Sequence, residues 1–191
     1  WLTLGKSKKT FPLASQLIDD LPKLELLYIA GLYHDIGKGR GSDHSNLGKS
    51  IVKKFCKKHL FSAEDTKLIE WLVENHLLMS VTSQKKDLED NFVIKEFANK
   101  VSNLENLKYH YCLTVADVSA TNPNLWNSWN ASLLKQLYDR TELYFEDEIL
   151  LNKSIADEQL KAIKVIKNHK EVDVQKLWEK FYPDYFKMSN S

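Results

Sequence analysis

Arginine, cysteine and long apolar runs are what this chain of 191 residues has least of. Arg40 and Arg140 are its only arginines; the rest of the positive charge is lysine. Lysine and arginine number 27 against 26 aspartates and glutamates, a formal net charge of +1. That balance leaves no basic surface for general nucleic-acid binding. The two cysteines, Cys56 and Cys112, fall within apolar patterns and form no Cys-x-x-Cys pair. They read as buried free thiols, and the expected compartment is the reducing cytoplasm. No apolar run approaches the roughly 18–20 residues of a membrane span. No signal peptide opens the chain. It starts at Trp1 rather than at methionine, so the expectation is a piece of a longer protein. Strand alternation is almost absent as well, which points to an all-α fold.

Hydrophobic residues make up 43% and charged residues 28%, a globular composition. The length suits one domain, or one domain with an extension. Pro22 predicts the first turn of a helix. Its face carries Leu24, Leu27, Tyr28 and Gly31 and runs directly into His34-Asp35. Glycines 37, 39 and 41 stop it, and a second helix starts near His44 or Ser45. Ser62-Ala63-Glu64-Asp65 resembles a capping box with Asp in place of Glu. It opens a helix on which Leu68, Ile69, Leu72, Val73 and His76 are in register, so His76 is expected on the buried stripe. Val81 to Asp90 reads as a loop and Phe92 to Val101 as a helix. The next helix carries Leu104, Leu107, Tyr111, Thr114 and Val118 at spacings of three and four, with Asp117 at the edge of the stripe. Asn122-Pro123 ends it. A long helix from about Leu125 to Leu150 is expected to turn Trp129, Leu133 and Leu137 inward, and shorter segments follow around Ile155–His169 and Val172–Phe186. Asn152-Lys153-Ser154 marks a weak boundary, dividing the chain into a domain of residues 1–151 and a helical extension of residues 152–191.

The chemistry concentrates in His34-Asp35-Ile36-Gly37-Lys38-Gly39-Arg40-Gly41-Ser42-Asp43-His44-Ser45. A neighbouring imidazole and carboxylate suit a hard or borderline divalent cation such as Mg, Mn, Fe or Zn. An acid at the edge of an apolar stripe is costly to bury unless paired or metal-bound, which brings in Asp117. His76 on an apolar face and His44 at a helix start complete the candidate ligands: His34, Asp35, His44, His76 and Asp117. Glycines let a backbone approach a phosphate closely, so Lys38 and Arg40 read as a phosphodiester clamp, and Asp43 joins them as a catalytic candidate. In a lysine-rich chain, an arginine inside the glycine loop is placed for its planar fork. No Ser-His-Asp set or cysteine nucleophile is suggested. The expected chemistry is therefore metal-assisted attack of water on a phosphate ester. His59, His110 and His169 read as structural. The tryptophans read as core or interface anchors, with base stacking a secondary role for Trp126 and Trp129.

His34-Asp35, Lys38 and the distant Asp117 resemble the HD superfamily of metal-dependent phosphohydrolases. The twelve residues from His34 to Ser45 are similar to the signature of one branch, the bacterial bifunctional uridylyltransferase/uridylyl-removing enzymes. Trp71-Leu72-Val73-Glu74-Asn75-His76-Leu77-Leu78-Met79-Ser80, Leu113-Thr114-Val115-Ala116-Asp117 and Leu125-Trp126-Asn127-Ser128-Trp129 agree with it, as do Leu177-Trp178 and Asp184-Tyr185-Phe186. The resemblance implies an HD-domain helical bundle of about seven to nine helices. It implies a divalent metal, Mg or Mn before Fe or Zn. The implied substrate is uridylylated nitrogen-regulatory protein PII and the implied product UMP, with neither nucleic acid nor membrane as a partner. Glutamine would act only through ACT domains, expected beyond residue 191. No Gly-Ser pair followed by Asp-x-Asp is present, so addition of UMP is not expected of this chain. Ser42 stands where the family often has glycine. HD domains also take a histidine from a helix before the His-Asp pair, and none precedes His34; the ligand set is expected to be incomplete here. The competing readings are an HD hydrolase acting on free or cyclic nucleotides and a non-catalytic helical regulatory module.

Overall fold

A computed structural model describes residues 8–39, 44–121 and 126–166. Among them are eight helices and no strand: α1 (Pro12–Asp19), α2 (Leu24–Tyr33), α3 (His44–Lys58), α4 (Ala63–Glu74), α5 (Leu78–Lys85), α6 (Asn91–Val101), α7 (Leu104–Thr121) and α8 (Ser128–Ile166). The chain divides into two compact units, Trp1–Tyr144 and Phe145–Ser191. None of the described helices is long and apolar enough to cross a membrane.

The first unit is organised around α7, which packs against α1, α2, α4, α5 and α6. Residues Tyr109 through Ala116 are buried without interruption, so this helix is enclosed on every side rather than on one stripe. Leu104 and Val118, expected inward from their spacing, are only half-buried. Tyr109 ties α7 to the start of α2: its hydroxyl donates to the Lys23 carbonyl at 2.9 Å and accepts from the Lys23 N–H at 3.1 Å. A second layer forms where α4 packs on α2 and α3. α4 begins as the capping pattern predicts, with the Ser62 hydroxyl accepting from the Asp65 N–H at 3.0 Å.

Several local expectations are corrected. Pro12 rather than Pro22 begins a helix; α2 starts two residues after Pro22 and buries Leu26, Leu27 and Ala30, leaving Tyr28 exposed. Part of the segment read as a loop is α5. Met79, Thr82 and Ser83 form a short buried stripe there, but two of its three members are hydroxyl residues, so the stripe does not look apolar. The hydroxyls of Ser80 and Ser83 donate to carbonyls of the preceding turn, Leu77 at 3.0 Å and Ser80 at 3.1 Å. α8 continues to Ile166 instead of ending near Leu150. Trp129 is 69% exposed, and the inward positions are Leu134, Leu137, Tyr138 and Thr141. Trp126 packs against Phe11, ring centroids 5.1 Å apart. The expected helix at Val172–Phe186 lies outside the described residues.

Arg140 has a structural task. It donates to the Glu89 carboxylate and to the Asn91 side chain, both at 2.8 Å, clamping α8 to the start of α6.

α3 ends in a tight wrap. The Phe61 N–H reaches the Cys56 carbonyl at 3.1 Å and the Leu60 N–H reaches that of Lys57 at 3.4 Å, the bonding of a Schellman motif. The residue in the left-handed position is Leu60, with φ of 59°, where glycine is usual because it has no Cβ to strain. Leu60 is 91% exposed, so its side chain contributes little burial. Leu60→Gly is expected to stabilise the chain by about 0.5–1 kcal/mol; an unchanged or lowered denaturation midpoint would contradict that assignment.

Candidate metal centre

The end of α2 delivers the His-Asp pair. His34 is the cap residue and keeps helical dihedrals, so its ring folds back along the helix. Its Nδ1 lies 2.7 Å from the Gly31 carbonyl, and its Nε2 points across to α7, 3.2 Å from Asp117 Oδ1. The same Nε2 is 3.7 Å from Asp35 Oδ2. His76 stands just past α4 in the turn leading to α5, its side chain 1% exposed. Its Nδ1 is 2.8 Å from the Val73 carbonyl and its Nε2 is 3.8 Å from Asp35 Oδ1. The two imidazoles meet edge to face, centroids 5.3 Å apart. The Thr121 hydroxyl donates to Asp117 Oδ1 at 3.1 Å and fixes that carboxylate from one turn beyond.

Four of the residues singled out in the sequence, His34, Asp35, His76 and Asp117, therefore sit within contact of one another. The packing of α2 and α4 on each other and on α7 brings them together. Lys38 turns its amine to Asp35 Oδ2 at 2.9 Å and is 68% exposed. Gly39 carries a φ of 78°, a backbone state open to glycine at little cost. Arg40 and Asp43 lie outside the described residues. His44 opens α3, but its side chain is not among those described. His59 rests on Phe55, centroids 4.3 Å apart, and His169 is outside the described residues. A cavity of about 490 Å³ lies elsewhere, lined by Lys49, Lys67, Glu70, Trp71 and Glu74 among others; none of the four clustered residues borders it.

The electrostatics of the cluster separate its two histidines. Burial pushes His34 down, but hydrogen bonds with Asp117 and the Gly31 carbonyl, with the charges of Asp117 and Asp35, outweigh it and leave the imidazole above its ordinary value. Asp117 is held below the usual carboxylate range, first by its bond to His34. Burial dominates at His76, whose pKa falls.

This arrangement bears directly on whether the residues fit a divalent cation. Both rings present Nδ1 to a backbone carbonyl, which only accepts, so the network assigns the neutral proton to Nδ1. Nε2 then faces carboxylate oxygen with a lone pair. Two lone pairs opposed at 3.2 Å repel unless something positive lies between them, either a proton on His34 or a metal ion. A ring held by a carbonyl at one nitrogen with the other aimed at carboxylates is the arrangement that metal-ligating histidines use. The donor set of neutral imidazole and carboxylate suits Mg, Mn, Fe or Zn. Among the described residues no three His, Cys, Asp or Glu side chains converge on one point as a closed metal cage; the four meet in pairs instead.

Gly48 was missed in the sequence. It sits in α3, one turn after His44, in the notch between the two histidine-bearing segments. A Cβ there would lie 3.0 Å from Val73 Cγ1 and 3.4 Å from the Tyr33 carbonyl. Val73 supplies the carbonyl that orients His76, and Tyr33 immediately precedes His34. A glycine inside a helical pattern, four residues from a candidate ligand, was the available signal.

A model of the HD domain family matches residues 3–122. The bifunctional uridylyltransferase/uridylyl-removing enzyme of Stutzerimonas stutzeri (strain A1501) is 50% identical over 191 residues, an alignment covering 97% of this chain and 21% of that protein. The enzyme of the same name from Azotobacter vinelandii (strain DJ) is 51% identical over 182 residues, covering 92% of this chain and 20% of its own. The chain thus spans about a fifth of the length of the curated relatives it matches. No solved structure matches it.

Two outcomes follow from the geometry. Gly48→Val should destabilise the chain by about 1–3 kcal/mol through overpacking, read as a lowered urea midpoint; an unchanged midpoint would mean the notch is loose. The second concerns the His34–Asp117 pair in chelator-treated protein. Because the folded His34 value is raised, its contribution to stability is complete below the unfolded value of 6.5 and fades as pH rises through the folded one. Asp117, lowered, contributes above 3.8 and loses that contribution as pH falls through its folded value. Asp117→Asn should remove both effects and, with burial remaining, shift the His34 titration seen by NMR downward. A His34 titration unmoved by the substitution would show that the pair does not set it.

Proposed function

The chain belongs to the HD domain family, and from that premise we propose that it hydrolyses the uridylyl-tyrosine phosphodiester on protein PII and releases UMP. The observation that carries the reading is the meeting of His34, Asp35, His76 and Asp117, two carbonyl-held imidazoles with their Nε2 atoms turned to two carboxylates. The similarity to uridylyl-removing enzymes supports this substrate class over free nucleotides. The family supports a divalent metal; we assign it as Mg or Mn, held by His34, Asp35, His76 and Asp117 with His44 from the start of α3. We assign residues 1–151 to the hydrolase domain and residues 152–191 to an extension leading toward ACT domains, through which glutamine would act. The cytoplasm, where PII would be met, is the proposed compartment.

A divalent cation held by these residues would polarise a phosphoryl oxygen and make water nucleophilic near neutral pH. The chain's own groups supply the rest. His76, buried and neutral, keeps its Nε2 available as a donor of electrons rather than a charge. Thr121 and Gly31 hold Asp117 and His34 in place. Lys38, exposed and tethered to Asp35, can swing its amine onto a phosphoryl oxygen, and Arg40 in the glycine loop adds a planar fork. Water adds its oxygen to phosphorus while the bond from phosphorus to the tyrosine oxygen breaks. The leaving phenolate takes up a proton, giving UMP and an unmodified tyrosine. Neither cysteine competes as a nucleophile: burial raises Cys56 and pushes the Cys112 thiol up to about 12.

The test is UMP release from uridylylated PII in Mn or Mg, beside a chelator-treated sample and Asp117→Ala. Release should vanish with chelator. In the variant it should fall by more than the roughly 10–100-fold that outer partners of a metal site contribute. Hydrolysis of free nucleotides with uridylylated PII left intact would reassign the substrate. Release indifferent to both the chelator and the substitution would sink the metal-centre reading.

A further inference from the structure

His110 takes no direct part in the cluster, yet it lies immediately behind it. It stands on α7, seven residues before Asp117, which places the two residues on one face two turns apart. Its side chain is completely buried. The ring meets Trp71 edge-on at 5.0 Å and lies nearly parallel to Phe97 at 6.2 Å. Its Nε2 is 3.0 Å from the carbonyl of Asn75, 35 residues away. A carbonyl only accepts, so Nε2 carries the hydrogen. Burial, helped by the nearby His76, outweighs the Asn75 bond and leaves the imidazole titrating at about 4, so it is neutral near pH 7.

This is an expensive residue for the place it fills. Nδ1 is buried with no hydrogen-bond partner, and such an atom costs about 1–3 kcal/mol. A phenyl or thioether side chain would fill an aromatic slot without that penalty. What the imidazole alone supplies is the Nε2–H bond to Asn75.

That bond closes on a turn of functional consequence. The Asn75 carbonyl also accepts from the Leu78 N–H at 2.8 Å, which closes the turn over residues 75–78, with His76 as its second residue. On the α4 side, the N–H and the side-chain amide of Asn75 both bond to the Trp71 carbonyl, at 2.9 and 3.0 Å. His110 is a tie from α7 to the same residue. α7 also carries Asp117, so the distance from His76 to that carboxylate depends on how the turn is held against α7.

We propose that His110 is a positioning residue for His76: its Nε2–H fixes the 75–78 turn against α7 and thereby sets His76 relative to Asp35 and Asp117. The consequence for metal binding rests on the metal-centre reading above; the placement of His76 does not.

Two variants of similar size separate a hydrogen bond from mere filling. His110→Gln keeps an N–H donor near the Nε2 position, and His110→Met removes it. Three quantities are measured on each: the denaturation midpoint in chelator, the ¹⁵N shifts of the His76 ring in chelator, and the Mn dissociation constant. For His110→Met the expectation is a midpoint near or above that of the parent, moved His76 ring signals and Mn binding weakened by roughly 10–100-fold. His110→Gln should recover most of the Mn affinity. His76 signals unchanged in the Met variant, or equal losses in Gln and Met, would overturn the proposal. Should the parent chain bind no Mn, the metal-centre reading fails, and the ring shifts in chelator still decide the placement of His76. If Met does not fold, His110→Phe, shaped for the slot between Trp71 and Phe97, replaces it.

Discussion

The approach of His34 Nε2 to Asp117 Oδ1, at 3.2 Å across 83 residues of chain, is the contact around which the rest of the site is arranged. It is a contact with a built-in conflict. The Gly31 carbonyl takes the proton side of the ring, so the neutral imidazole offers the carboxylate a lone pair. Only positive charge between the two groups relieves this. A proton does so, which is why His34 is raised and Asp117 lowered as a coupled pair. A divalent cation between them would do so as well. The local architecture thus stores a demand for positive charge, and it explains why an acid and a histidine can sit half-buried on the margin of an apolar core.

The same device recurs at His76 with a different balance. Its Nδ1 is also committed to a carbonyl, but deep burial outweighs the carboxylates and keeps the ring neutral. Two histidines with one kind of backbone anchor thus reach opposite charge preferences, because one touches a carboxylate directly and the other stands 3.8 Å from one. Coulombic attraction falls gently over that difference, whereas a hydrogen bond does not survive it. The placement of both rings passes through backbone carbonyls at helix ends, so it is governed by how α2 and α4 terminate. Gly48 lets α3 sit against both termini, and α7 receives them.

Enclosing α7 on all sides allows this precision. A helix buried from Tyr109 to Ala116 has no solvent face along which to slide, and its polar members must each be accommodated inside. Tyr109 is anchored at Lys23, His110 at Asn75, and Asp117 emerges where the burial ends. The three lie along one helix, bonded to the start of α2, the end of α4 and the end of α2 respectively. One rigid element thereby sets the spacing of the segments that carry His34, Asp35 and His76.

Much of this was legible in the residues. The 34–45 stretch raised the expectation of a metal and phosphate chemistry through residue type alone, and periodicity located α3, α4 and α6 because each carries an apolar stripe or a cap, and α7 because its apolar residues recur at helical spacing even though it is enclosed on every side. Where periodicity misled, the reasons are physical: α5 hides its buried face behind hydroxyl side chains, Trp129 keeps helical spacing yet faces outward, and α8 continues past Leu150 without a breaker. The sequence by itself determined which groups could bind a cation and which segments are helical, since donor chemistry and helical period are local properties. Only the tertiary structure decided that Asp35 and His76 face each other, that a Cβ at Gly48 would crowd Val73 and that His110 reaches Asn75. Those depend on which helix ends meet, and helix ends meet through packing between residues tens of positions apart, which no window of sequence contains.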